Sequence, residues 1–286
     1  MVSRTEANSD ALRSDRHCQM IKFILLAAKS LYHFRNAIYL MTRREVMARY
    51  VGSLAGPLWA IAQPLATVLV FWFVFSLGFK ADNASGIPFI VYFLVGYAPW
   101  LLVSESLTSS THSVLRHSYL VKKTVFPVEI IPVVCIATAS FTHVILIMMV
   151  IVVLLFKGMT LPVTSLQVLY YYVAIIALSI GLSWGLAAVH VFHRDVAHGL
   201  NVVLSLWFWI TPIVWTRNMI PETLWWVLAY NPMEYIVEGY RQSLIYGIPV
   251  WDQPEAMGRF WIIVLATSVS GAHIFRRLKP QFAEAL

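Results

Sequence analysis

Apolar residues in this chain come in long unbroken runs, without the alternation of strands or the one-faced periodicity of soluble helices. Six runs stand out, at 57–79, 87–110, 129–156, 166–192, 199–217 and 257–275. A helix of about 20 apolar residues crosses a hydrocarbon layer of roughly 30 Å. The pattern predicts an all-α integral membrane protein with six transmembrane helices. It excludes a transmembrane β-barrel, whose strands alternate apolar and polar positions. An even number of crossings puts both termini on the same side. No span pattern repeats, which disfavours a transporter built on inverted repeats.

Composition points the same way. Hydrophobic residues make up 59% of the 286 residues and charged residues 12%, against about 45–50% and about 25% in ordinary globular domains. Mean hydropathy is +0.71. A soluble core of this length cannot hide so much apolar surface.

The net charge of +7 requires no nucleic acid once its distribution is seen. Nine Lys and Arg precede residue 50, and Arg276, Arg277 and Lys279 close the chain. With the termini inside, sixteen basic residues fall on the inner connections and five (Lys80, Lys157, Arg217, Arg241 and Arg259) on the outer ones. That asymmetry is the positive-inside pattern and predicts cytoplasmic termini. Residues 1–20 are polar and charged, unlike a secretory signal. Residues 1–30 read as a polar cytoplasmic tail, and 31–286 as the membrane domain. Cys18 and Cys135 form no spaced pair, so neither a disulfide nor a zinc site is expected.

Three segments break the run of spans. In 31–54, Leu31, Phe34, Ile38 and Met41 share one helical face while Arg35, Arg43 and Arg44 lie mostly elsewhere. This predicts an amphipathic interfacial helix, with a plain basic juxtamembrane tail as the alternative. In 111–133, Arg116, Lys122 and Lys123 mix with Leu115, Tyr119, Val125 and Phe126, before Pro127 and Pro132 turn the chain. A short helix here would present a knob to a partner's groove; the alternative is an ordinary positive-inside loop. Residues 218–255 are apolar but interrupted. Pro221 opens one short helix, and Asn231, Pro232 and Glu234 read as N-cap, first position and third position of another. Both are too short to cross, which predicts re-entrant helices between spans 5 and 6, or else a hairpin on the outer surface. Glu234, Glu238 and Arg241 line up on the second of them.

Polar and aromatic groups supply the remaining candidates. Glu105, Ser109 and His112 share a face at the end of the second run, either lining a hydrated interior or marking a helix already out of the bilayer. His143 reads as a hydrogen-bonded bundle histidine. His190, His193, Asp195 and His198 cluster too loosely for a metal site and read as a polar turn. Trp207, Phe208, Trp209 and Trp215 surround Pro212, serving as an interfacial belt or as rings that stack on sugars. Trp72, Phe75, Tyr92, Tyr97 and Trp100 could extend the same surface. The chain has no G-x-x-x-x-G-K-[ST] phosphate loop, no G-x-S-x-G elbow and no H-E-x-x-H pair. Six spans with no catalytic motif favour conduction over catalysis, driven by a separate motor.

Four ordered motifs carry a resemblance. Arg49, Tyr50, Ser53, Gly56, Trp59 and Pro64 meet an R-Y-x-x-S-x-x-G-x-x-W-x-x-x-x-P pattern. Lys123, Phe126, Pro127, Glu129 and Pro132 meet K-x-x-F-P-x-E-x-x-P. Residues 230–245 contain N-P-M, and 275–286 form a basic, aromatic tail. Across 43–286 the chain resembles permease subunits of ABC-2 type exporters, in the branch that moves O-antigen, capsule and teichoic acid.

The resemblance implies a homodimer paired with two ATP-hydrolysing subunits. It implies that ATP and Mg are bound there, and that this chain holds no cofactor and is not itself an enzyme. The segment containing Arg116, Tyr119, Lys122, Lys123, Phe126, Pro127 and Glu129 would couple to the ATPase. Trp72, Phe75, Tyr97, Trp100, Glu105, Trp207, Phe208 and Trp209 would line the path of a lipid-linked polysaccharide. Pro232, Glu234, Glu238 and Arg241 would border its exit. Arg43, Arg44, Arg49 and Tyr50 would belong to the interfacial helix against membrane lipid. The location implied is the bacterial cytoplasmic membrane. A different substrate for the same architecture (a teichoic acid, lipid or drug) and a membrane-embedded glycosyltransferase are the rivals.

Overall fold

The computed structural model describes residues 32–49, 56–78, 87–123 and 126–286. The tail 1–30, Leu31, Tyr50, Ser53 and Lys80 lie outside them, and Lys123 is described by its backbone alone. All regular structure among the described residues is helical. In chain order the helices are α1 (Arg35–Ala48), α2 (Trp59–Trp72), α3 (Phe89–Thr111), α4 (Ser113–Arg116), α5 (Ser118–Lys123) and α6 (Ile130–Phe156). After them come α7 (Val168–Phe192), α8 (Asp195–Ile210), α9 (Trp225–Ala229), α10 (Pro232–Arg241), α11 (Pro254–Leu278) and α12 (Phe282–Ala285). Among the described residues, four helical stretches are long and apolar enough to cross a membrane: Phe89–Thr111, Ile130–Phe156, Val163–Phe192 and Pro254–Ala285. The apolar helices at Ile61–Ser76 and Asp195–Ile210 are shorter.

α3 occupies the centre, packed on α6, α7 and α10. That placement explains why its sequence is apolar on every face from Phe89 to Val103. Phe93, Val95, Ala98 and Val103 are fully buried in it. α6 instead turns Val144, Met148, Val152 and Leu155 outward, as a lipid-facing stripe does.

Hydrocarbon is as apolar as a Leu side chain, so burial alone does not hold such helices together. Close packing and interhelical hydrogen bonds do. α7 and α11 approach where Gly181 faces Gly271: a Cβ on Gly271 would overlap the Gly181 carbonyl oxygen. A Cβ on Gly239 of α10 would overlap the ring of Tyr171 on α7. Tyr170 joins three elements, meeting Tyr235 hydroxyl to hydroxyl at 3.2 Å and accepting from Trp261 Nε1 at 2.8 Å.

α1 lies against α6. Phe34, Ile38 and Met41 are half-buried while Arg35, Arg43 and Arg44 are exposed, the division that their spacing predicts. A second apolar cluster closes the end of the bundle that α4 and α5 occupy. Val114, Ile131, Trp184 and Phe275 surround Phe282 of α12.

Candidate functional site

At that end, two short helices carry the predicted coupling segment. His117 is buried, with Nδ1 2.9 Å from the Ser113 carbonyl and Nε2 3.1 Å from Glu45 Oε1 of α1. Arg116 is 3.7 Å from the other oxygen of Glu45. Arg49 pairs with Glu105, one turn back on α3 from Ser109, whose hydroxyl donates to the Glu105 carbonyl at 2.6 Å. Glu129 pairs with Lys279. Phe126 packs on the Phe282 cluster and Pro127 is half-buried. Tyr119 and Lys122 remain exposed. The segment is thus fastened by α1 on one side and the chain's last residues on the other, with Tyr119, Lys122 and the half-exposed Arg116 open to an outside contact. Glu45, His117 and Lys279 were not singled out in the sequence, since their partners lie 72 or 150 residues away.

The aromatic candidates divide. Tyr97 and Trp100 are buried, the Trp100 ring 5.8 Å from Trp207 and 5.6 Å from Phe208. Phe75 stacks on Phe89 at 5.0 Å. Trp72 and Trp209 are exposed, at 37% and 57%. His112 and His190 meet edge to face at 4.7 Å, and no group of three metal-ligating side chains gathers among the described residues. His143 bridges the Ala98 carbonyl and the Tyr240 hydroxyl.

At the opposite end the chain leaves helical geometry after Ile210, and its backbone groups are met by side chains. Backbone outside a helix is tolerated at membrane depth only when protein or water satisfies it. Arg241 Nη1 donates to the Pro212 carbonyl at 2.7 Å, and Nη2 to that of Ile213 at 2.9 Å. The Tyr92 hydroxyl donates to the Trp215 carbonyl at 3.2 Å, and Trp215 Nε1 to that of Trp209 at 2.9 Å. Asn231 caps α10 as its position predicts, its Oδ1 accepting from the Met233 N–H at 3.0 Å and from Trp207 Nε1 at 2.8 Å. Its Nδ2 donates to the Thr211 hydroxyl at 3.0 Å. One side chain therefore ties the broken end of α8 to the start of α10. Sequence spacing aligned Arg241 with Glu234 and Glu238; the fold buries Arg241 completely and leaves Glu238 36% exposed.

Pro212, the 216–219 turn, α10 and the start of α11 enclose a cavity of about 850 Å³. Glu234 lines it, 3.8 Å from Arg217, which stacks on Trp225. Burial, reinforced by the Glu238 carboxylate, pushes the Glu234 carboxyl up to about 7. Gln242, where α10 passes into a π-helical turn, lines it as well.

The family described as ABC-2 type transporter matches residues 36–245. Among curated proteins, an O-antigen export system permease, RfbA, of Klebsiella pneumoniae is 28% identical over 260 residues, 88% of this chain and 95% of the relative. A protein of the same name from Myxococcus xanthus is 28% identical over 264 residues, 90% and 98% of the two. The polysialic acid transport protein KpsM of Escherichia coli is 26% identical over 207 residues, 71% and 79%. With more than half its length matched, the chain belongs to the ABC-2 type transporter family.

Proposed function

We propose that this chain is the membrane-spanning permease subunit of an ATP-driven exporter that moves a lipid-linked polysaccharide across the bacterial cytoplasmic membrane. Two copies would form the path, each receiving force from a separate ATP-binding subunit. Relatives named for O-antigen export and polysialic acid transport, aligned over most of both chains, support the substrate class.

The observation that carries the coupling role is the fastening of α4 and α5. Glu45, Glu129 and Phe282 anchor the segment to the bundle while Tyr119 and Lys122 stay exposed. A push on the exposed side chains would pass into the bundle through these anchors. Six crossings with cytoplasmic termini fit this arrangement, with the helix–π continuation 59–78 and α8 supplying the first and fifth. The helices of 218–255 would then enter from the outer side and return. Of the rings predicted to line the path, Trp72 and Trp209 are the exposed ones and would face a second copy or a polymer.

Deletion of the gene tests the reading: a glycan should accumulate in the cytoplasm and vanish from the surface. Export at wild-type levels would overturn it. Replacing Lys122 with Glu, or Phe126 with Ala, should keep the protein in the membrane and uncouple ATP hydrolysis from export. Full polymer-stimulated hydrolysis in both variants would remove the coupling role.

A further inference from the structure

The cavity beside Gln242 has no part in the coupling geometry, and its chemistry is specific. Its volume of about 850 Å³ lies in the range of ligand pockets, about 300–1,000 Å³. Gln242 is 5% exposed and lines the cavity, yet its side-chain amide makes no hydrogen bond among the described residues. With no protein partner, its polar atoms are left to what the cavity holds, water or a ligand. It also sits on the first residue of a π-helical turn, a distortion frequent at functional sites. An amide offers a donor and an acceptor side by side, which matches vicinal hydroxyl groups.

The charges around it narrow the ligand. Glu234, Glu238, Asp252 and Glu255 line the cavity against only Arg217 and Arg259. Arg217 stacks on Trp225 and lies 3.8 Å from Glu234, and Arg259 lies 3.7 Å from Glu255. Glu238 lies 3.6 Å from Arg241 as well, but Asp252 has no arginine beside it among the described residues, so the lining keeps a net negative charge that disfavours a phosphate or uronate. Tyr246, 40% exposed at the rim, adds an aromatic face for C–H groups.

We propose that this cavity is a carbohydrate subsite that takes a sugar segment carrying no anionic group, with Gln242 and the carboxylates reading its hydroxyl or amine groups. It lies at the end of α3 opposite α4 and α5. The proposal rests on the exporter reading for a glycan's presence at that face, where the site would hold emerging polymer against back-slipping.

The test uses the complex with its ATP-binding subunit in lipid nanodiscs, titrated calorimetrically. The probes are chitotriose, its fully deacetylated triamine form, and trigalacturonate. Chitotriose or the triamine should bind with millimolar or tighter affinity, and trigalacturonate about tenfold more weakly or not at all. Gln242→Leu should weaken that binding about tenfold while leaving thermal stability unchanged or raised, since it removes an unpaired amide. Tyr246→Ala, a rim change outside the core, should weaken it too and serves if the first variant does not fold. No binding of either favoured probe, equal binding of trigalacturonate, or indifference to both substitutions would overturn the subsite. Gene deletion judges the exporter reading separately, so an exporter that binds none of these probes would cost only this proposal.

Discussion

The guanidinium of Arg241 lies 3.5 Å from the centroid of the Tyr92 ring, joining α10 to the first turn of α3. The same guanidinium holds the carbonyls of Pro212 and Ile213 where α8 has ended. One buried cation thus fixes three elements that no continuous helix connects. Its fork suits the task, since a point charge could not serve two carbonyls and a ring face at once.

Replacing Arg241 with Met should therefore destabilise the protein by about 3 kcal/mol or more, because two charge-assisted bonds of about 1.5–3 kcal/mol are lost and their acceptors stay buried. Arg241→Lys should recover only part of this. Thermal unfolding in detergent measures both, and a Met variant as stable as wild type would show that the clamp is dispensable.

The α7–α11 contact makes a separate demand. Gly271→Ala places a methyl group against the Gly181 carbonyl, so the helices must part. Overpacking of this kind costs about 1–3 kcal/mol. Lower thermal stability should follow, whereas Gly258→Ala, at a position with open space, should be neutral or better.

Trp207 and Trp209 should behave differently despite their proximity in sequence. Trp207→Leu removes a donor to Asn231 and should cost about 0.5–1.5 kcal/mol. Trp209 is 57% exposed, so Trp209→Leu should leave folding intact and reduce surface polymer. Surface polymer unchanged in a stable Trp209 variant would assign that ring to lipid.

Phe282 closes the cluster beneath α4 and α5 and is fully buried. Phe282→Ala should destabilise by about 3–5 kcal/mol if the site does not collapse. Hydrogen exchange should then quicken first across Ser113–Lys123, the helices resting on that cluster. Uniform acceleration along the chain would contradict this local support.

Glu234 gives the fold a pH signature. Burial raises its carboxyl from 4.5 to about 7, so the folded chain holds this proton more tightly than the unfolded chain. Stability from this group falls as pH rises through that window and levels off above it. Glu234→Gln cannot titrate, so its melting temperature relative to wild type should climb across the window. A constant difference between the two proteins would exclude this carboxyl as the source.

Capping and amphipathic division were legible locally. Asn231–Pro232 announces the start of α10, and Phe34, Ile38 and Met41 announce the packed face of α1, because each depends on neighbours within a turn or two. The buried role of Arg241 was not legible: spacing on α10 tells which residues share a stripe, not what that stripe meets. Hydropathy misleads about orientation too, since α3, the less apolar of the two, is the centre while α6, the more apolar, turns a face outward.

Hydropathy and charge bias by themselves determined that the chain is a helical membrane protein, because the free energy of placing a residue in hydrocarbon depends on that residue alone. Only the tertiary structure decided that Glu45 holds His117, that Arg241 bridges a broken helix, and that Gln242 stands unpaired at a cavity. The first two are pairings across 72 and 29 residues, and they exist because lipid offers no partner to a polar group, so the bundle must bring one from elsewhere in the chain.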